Sequence, residues 1–270
     1  MSGTGPGTAD RCALLRAAEL FRAAPTARNV ALTGAGISVA SGLPDLEAAR
    51  QAIDGYRWVT TRCFLESEEA RVRYWQHRHR VFPRFAAAGP NPAHLALEQL
   101  GRLGLLGTIV TQNGDDLNPP GRPGGPAVIR LSGTLFETRC LGCGATMPTA
   151  AVLAAWPEPL RRAPACDRCQ GPLRIATLPW DRPPDEALVA RARTAVSAAG
   201  VLLVVGHSLR DEAITDLVRA ALAAGARLVL VNPGATALDD AAAVRLADRA
   251  ELVLPALLDV LGTGRSPEGA

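Results

Sequence analysis

The feature that most narrows what this chain can fold into is its alternation of short apolar runs with helical stretches. The runs are "RNVALTGAGIS", "GTIVTQN", "AVIRLSG", "VLLVVGHS", "RLVLVNPG" and "AELVLP". Between several of them lie segments with apolar residues at helical spacing, such as "RCALLRAAELFRAA" before the first and "DEAITDLVRAALAAGA" after the fourth. Apolar runs this short suit strands buried on both faces. Strands that alternate with helices predict an α/β fold, a Rossmann-like parallel sheet with helices on both faces. Ligands of such sheets bind beyond the carboxyl ends of the strands. The polar signatures fall at those ends: Gly34 to Ser38, Gln112 to Asp115, Ser132 and Gly133, Gly206 to Ser208, and Asn232. One cleft could collect them all.

The cysteines carry the second constraint. "CLGC", Cys140 to Cys143, and "CDRC", Cys166 to Cys169, give two C-x2-C pairs at a separation close to that of structural zinc ribbons. Four thiolates close a tetrahedral shell and leave no open coordination site, so this metal would hold a module together rather than catalyse. Paired disulfides or free thiols are the alternative for these four, and one disfavoured by a reducing compartment. Cys12 and Cys63 lack such partners and read as ordinary packed or surface thiols.

Two segments interrupt the strand and helix alternation. Residues 46–88 are polar, arginine-rich and mostly helical in pattern; residues 134–180 are rich in Cys and Pro. Together they are expected to form a small helical and zinc-ribbon domain, leaving 10–45, 89–133 and 181–260 for the Rossmann-like domain. Residues 1–9 and 261–270 are Gly-rich and polar and are expected to be disordered tails.

Composition removes several functions. No uncharged apolar run approaches the roughly 20 residues that span a bilayer, and the start "MSGTGPGTADRC" has neither the charged opening nor the apolar core of a secretory signal. A cytoplasmic protein without a membrane partner is expected. The net charge of +3 is mild and its basic residues are spread along the chain, so no nucleic-acid partner is implied. All 29 basic residues are arginine, which excludes a lysine Schiff base.

"GAGIS" after a strand is weak alone, because many α/β folds use glycine to bring backbone near a phosphate. Taken with its continuation "GAGISVASGLPDL", then "TQNGDDL", the two cysteine pairs, "GHS" and "VNPG" in that order, the chain resembles the sirtuin family of NAD-dependent protein deacylases over roughly residues 28 to 258. The stretch "LDDAAAVRLADRAELVLPALLDVL" is similar to the family's last helix, strand and helix. The resemblance implies NAD as co-substrate, a structural zinc, and NAD meeting an acyl-lysine in a cleft between the two domains. It implies that Gly34, Ala35, Gly36 and Ser38 line the diphosphate and that Asp45 shapes the mouth of the nicotinamide pocket. Gln112 and Asn113 would face the nicotinamide ribose, Asp115 the carboxamide, Gly206 and Ser208 phosphate or ribose, and Asn232 the adenosine. Donor-rich turns suit phosphate and amide side chains suit hydroxyls, so the roles are chemically coherent.

The family's chemistry has a nicotinamide-leaving stage, which needs positioning and electrostatics, and an acyl-transfer stage, which needs a histidine base. The family places that histidine directly before a glycine. Here the slot reads Leu131, Ser132, Gly133, and a serine hydroxyl is no base near neutral pH. Losing a positioned base costs about 10²- to 10⁴-fold, so ordinary deacylation is expected to be weak.

Further departures follow. The family's peptide-pairing strand falls on "TLPWDRP", 177–183, where Pro179 and Pro183, with Pro184 directly after, remove ladder donors. Leu46 and Glu47 replace a Phe-Arg pair, and Gly114 replaces an isoleucine. "GHSLRDEAITDL" reads as entering a helix at once, with Ser208 and Asp211 spaced as a capping box, and is similar to more distant Sir2-like proteins. Substitute catalytic residues are His207, in the glycine loop at the cofactor, against a plain phosphate-touching histidine, and Glu47, which could stabilise charge at the ribose, against a solvated helix start. His94 reads as packing or capping, and His77 and His79 as a solvated basic helix face. Three functions fit. The first is an NAD-consuming transferase passing ADP-ribose to an acceptor, protein or small molecule, that the residues do not name. The others are a deacylase with a substitute base and a non-catalytic NAD- or ADP-ribose-binding module.

Overall fold

The computed structural model describes residues 10–24, 28–45 and 59–263. Nine strands and eight α-helices lie among them. The large sheet is formed by β1 (Val30–Thr33), β2 (Thr108–Thr111), β3 (Ala127–Arg130), β7 (Val201–Val205), β8 (Arg227–Val231) and β9 (Val244–Leu246). Their order is β3-β2-β1-β7-β8-β9, and every neighbouring pair is parallel. All strands therefore point their carboxyl ends at one edge. The chain reverses its direction of winding between β1 and β7, which opens a crevice at that edge.

The central strands are buried on both faces because alternate side chains enter two different cores. Ala31, Leu203, Val205, Val229 and Val231 pack with α1 (Arg11–Ala23), α4 (Pro92–Arg102) and α8 (Ala250–Thr263). Val30, Leu32, Leu202, Val204, Leu228 and Leu230 pack with α6 (Glu186–Ser197) and α7 (Glu212–Ala223). Helix α1 shows how local signals serve this. Asp10 caps its first amides, those of Cys12 and Ala13, and Leu14, Ala17, Ala18 and Phe21 recur on one buried face. Each large aliphatic buried this way contributes roughly 1.5–3 kcal/mol.

The second sheet is small and antiparallel, ordered β5-β4-β6, from β4 (Gly133–Cys140), β5 (Thr146–Pro148) and β6 (Leu173–Thr177). Helices α2 (Thr61–Glu66) and α3 (Glu68–Ala87) lay Phe64, Tyr74, Trp75 and Phe82 against Cys140, Cys166, Leu173 and Ile175 in one core, which α5 (Thr149–Ala155) completes. Two of these four aromatic residues are also anchored by polar bonds: the Trp75 indole N–H donates to the Leu173 carbonyl at 3.0 Å, and the Tyr74 hydroxyl accepts the Ile175 N–H at 3.2 Å.

Four local expectations change. "AELVLP" is the start of α8, not a strand: Val253, Leu254, Leu257 and Leu261 sit at helical spacing on one buried face, and the last strand is Val244–Leu246. Helix α8 runs on to Thr263, into the stretch read as a tail. The helix after "GHS" starts only at Glu212, capped by Asp211 itself through the Ile214 amide, because Leu209 takes a left-handed φ of 54° that no helix accepts. His79 is not simply solvated. It is half-buried with Nε2 2.8 Å from the Trp156 carbonyl, and burial, reinforced by Arg78 and Arg80, holds neighbouring His77 down to a pKa of about 4.

Candidate active site

At the switch edge the turns after β1 and β7 are pressed together. Gly34 and Gly36 donate their amides to the Val205 and Gly206 carbonyls at 3.0 and 2.9 Å. These two N–H groups are thus spent within the protein rather than offered to a phosphate. The glycines serve close approach: a Cβ on Gly36 would lie 2.8 Å from Gly206 Cα, and Gly206 itself has φ of 59°. The turn continues as a 3₁₀ helix, Ala35–Ser41, that buries Ile37 and Ser38.

A cleft of about 270 Å³ opens beside this turn. Ala35, Ser38, Leu43 and Pro44 form one wall, Gln112 to Asp115 a second, and Ser132, Leu135, Thr177 and Leu178 a third. Arg78 and Phe85 of α3 close it from the small module. Arg78 stacks its guanidinium 4.8 Å from the centre of the Tyr74 ring, which brings a permanent positive charge to the wall.

Two hydrogen-bonded chains organise the polar side. In the first, the Asn91 amide donates to His94 Nδ1 at 3.3 Å as part of the capping box of α4. The imidazole proton therefore sits on Nε2, which faces Ser38 Oγ at 3.4 Å. Ser38 in turn donates to Asp115 Oδ2 at 2.6 Å, and Asp115 Oδ1 accepts the Leu117 amide at 3.1 Å. Asn113 joins with its Nδ2, 3.1 Å from the Gly34 carbonyl and 3.4 Å from Ser38 Oγ. Burial pushes His94 down to a pKa of about 4 despite the attraction of Asp115.

In the second chain the Leu209 amide donates to His207 Nδ1 at 2.9 Å, and His207 Nε2 lies 2.8 Å from Gln112 Oε1. Gln112 Nε2 donates to Asp211 Oδ2 at 2.9 Å. Burial lowers the pKa of His207, with the Asp211 carboxylate opposing. Both histidines thus commit both nitrogens to the protein. Behind the cleft Asp116, at φ 54°, pairs with Arg130 at 2.8 Å and accepts the Thr134 hydroxyl at 2.7 Å. Its pKa is raised by burial against those two partners.

Ser132 occupies the joint where β3 of the large sheet passes into β4 of the small one. Its carbonyl accepts the Leu178 amide at 2.9 Å, and Gly133 follows at φ 73°, where any Cβ would strike the Ala176 carbonyl at 2.0 Å. The strand β6 stops at Thr177. Among the described residues "TLPWDRP" then forms a turn closed by the Arg182 amide on the Pro179 carbonyl, with Trp180 57% exposed. Asp181 fixes that turn to α2, accepting the Thr61 amide at 2.7 Å and hydroxyl at 2.8 Å.

The structure therefore gathers Ala35, Ser38, Gln112, Asn113, Asp115 and Ser132 into one cleft. Gly34, Gly36, Gly206 and His207 lie directly behind it. Ser208 follows on the same loop, and Asn232 sits at the end of β8 with its side chain turned to the Gly234 carbonyl at 2.8 Å. Asp45 is exposed and is not among the residues forming the cleft wall. Leu46 and Glu47 lie outside the described residues. Sequence reasoning missed Arg78, whose only signal was its place in an arginine-rich helix, and the Ser38–His94 contact, which joins residues 56 positions apart.

The four cysteines of the ribbon converge, with all Sγ atoms within 4.8 Å of one another. Cys140 and Cys169 are 3.5 Å apart and Cys143 and Cys166 3.8 Å. A tetrahedral zinc with Zn–S bonds near 2.3 Å needs sulfurs about 3.8 Å apart, so the set fits one ion. The amides of Gly142, Cys143 and Gly171 donate to Cys140 and Cys169 Sγ, which suits thiolates.

Residues 34–212 match the Sir2 family. Among relatives, an NAD-dependent protein deacylase of Pseudomonas putida is 36% identical over 95% of this chain and 98% of its own. NAD-dependent protein deacetylase 2 of Streptomyces coelicolor is 35% identical over 86% of this chain and 96% of its own. A solved structure described as "Sir2-p53 peptide-NAD+" superposes with a TM-score of 0.78 at 26% identity, covering 91% of this chain and 97% of that one. The chain therefore belongs to the Sir2 family.

Proposed function

We propose that this chain is a sirtuin-type, NAD-consuming transferase that displaces nicotinamide and passes ADP-ribose to a nucleophile, with lysine deacylation weak. In this reaction the bond from ribose C1′ to the nicotinamide nitrogen breaks, a bond from the same carbon to the acceptor forms, and the acceptor's proton leaves. The observation that carries the reading is Ser132 at the cleft wall, in the slot where the family resemblance leads one to expect a histidine base. Neither nearby imidazole replaces it, because His94 and His207 have both nitrogens engaged within the protein. What remains serves the nicotinamide-leaving stage: Asn113 and Gln112 offer amides to ribose hydroxyls, Asp115 an acceptor to a carboxamide, and Ser38 a hydroxyl held in place by Asp115. Zinc, when bound by the four cysteines, supplies cohesion to the small module and no chemistry in the cleft.

The test is nicotinamide release from NAD by the purified protein, followed by mass analysis for ADP-ribosylated products against acyl-ADP-ribose. Asn113→Ala should slow release. Absence of release with every nucleophile tested, while NAD still binds, refutes the reading. A second reading, a deacylase using a substitute base, is favoured by the names of the relatives. Acyl-ADP-ribose as the main product would establish it. Ser132→His separates the two defects: new deacylation means that the peptide site survives, and none means that the Asp181-anchored turn no longer accepts a peptide strand.

A further inference from the structure

We infer that His207 is a positioning residue acting through Gln112: it fixes the orientation of the Gln112 side-chain amide at the cleft wall, and is not itself a base. The inference rests on the reading above that the cleft receives the ribose of NAD.

The assignment of protons is forced from both ends. Asp211 is the N-cap of α7 and presents a carboxylate, so the group that meets its Oδ2 at 2.9 Å must be the NH2 of Gln112. That turns Gln112 Oε1 toward His207, whose Nε2 must then carry a proton to make the 2.8 Å bond. From the other side, the Leu209 amide points at Nδ1 at 2.9 Å, so Nδ1 must be the unprotonated nitrogen. Both constraints give the same neutral tautomer. The ring is 7% exposed and backed by Gly34, where even a methyl group would lie 2.6 Å from its Cδ2. The ring thus packs directly on the turn after β1. Gln112, by contrast, is half-buried on a long side chain and lines the cleft. Its amide, left alone, could flip or rotate, so its orientation is imposed by a rigid ring on one side and a helix start on the other.

A mispositioned ribose contact of this kind costs roughly 10- to 100-fold in rate. His207→Ala, and His207→Phe, which keeps the ring's bulk against Gly34, should each slow nicotinamide release by that factor. The loss should fall mainly on kcat, with zinc content and circular dichroism unchanged. Gln112→Ala should do the same, and the double variant should be no slower than Gln112→Ala alone. His207→Gln, which can donate to Gln112 but cannot act as a base, should stay within about threefold of wild type. Losses that multiply in the double variant overturn the inference, as does a His207→Gln protein as slow as His207→Phe.

An activity-independent measurement keeps the two proposals apart. The Gln112 side-chain NH2 resonances should shift from their wild-type positions in His207→Phe, as the amide loses its partner at Oε1, and hold in His207→Gln, in protein without NAD. Unchanged resonances in His207→Phe overturn the positioning role. Coupled resonances in a protein that releases no nicotinamide retire the transferase reading and leave the His207–Gln112 coupling standing.

Discussion

The contact between Gly36 and Gly206 sets the width of the crevice, and Gly36→Ala perturbs it by one methyl group. The added carbon would lie 2.8 Å from both Gly206 Cα and Gly206 O and 3.0 Å from its carbonyl carbon, where ordinary contacts begin at 3.4 Å. The atoms it meets are backbone, so nothing rotates aside and the two turns must part by about 0.6 Å. Overpacking of this size costs about 1–3 kcal/mol. The separation also stretches the Gly36 to Gly206 hydrogen bond, now 2.9 Å, and carries Ser38 away from Asp115. Urea unfolding should show a lower midpoint at unchanged m-value, and nicotinamide release should fall together with it. Gly89→Ala is the control: it has nothing within 4 Å and no left-handed φ, so its midpoint should stay level or rise slightly. A Gly36→Ala midpoint equal to that of Gly89→Ala would refute the claim that the turns are in contact.

Metal analysis of the purified protein should find one zinc per chain, and a strong chelator should remove structure from the small module while much of the large sheet's circular dichroism persists; a stable, zinc-free protein would disprove the ribbon assignment. His94 gives a pH dependence. Its folded pKa, about 4, lies below its ordinary 6.5, so the unfolded chain binds the proton more tightly. Its contribution to stability is complete above pH 6.5 and is lost as pH falls toward 4, with a slope of up to about 1.4 kcal/mol per pH unit. Urea midpoints collected across that window should fall less steeply for His94→Gln than for wild type; equal slopes would mean that the imidazole titrates normally in the folded protein.

How much of this was legible in the sequence depends on how far apart the interacting residues stand. The parallel sheet was readable because β1, β7 and β8 are almost wholly apolar runs, and such runs need cover on both faces. The cysteine cluster was readable because spacing alone constrains four ligands. "AELVLP" misled because a short, mostly apolar run fits a buried strand or a helix equally well, and only Leu257 and Leu261 beyond it settle the period. Ser208 looked like a helix cap on spacing, but the left-handed Leu209 is a backbone choice made by the packed β7 turn. The two histidine chains were illegible for a simpler reason. They join Asn91, Ser38 and Asp115, or Gln112, His207 and Asp211, and no local pattern marks which of four histidines will meet which serine or glutamine.

The seam between β1 and β7 has a consequence for how the chain is made. Asn29 Oδ1 takes the amide of Val201 at 2.9 Å, a bond across 172 positions, and Val30 aligns with Leu202 beside it. At about 5–20 residues per second of synthesis, β1 waits roughly 10–30 s for its second neighbour. During that time it can pair with β2, yet its other side is an unprotected edge whose first three residues, Val30, Ala31 and Leu32, are apolar. The strand at the heart of the finished enzyme is therefore the one most exposed to mispairing on the ribosome, and a chain halted before Val201 would carry a sticky half-sheet with no finished cleft.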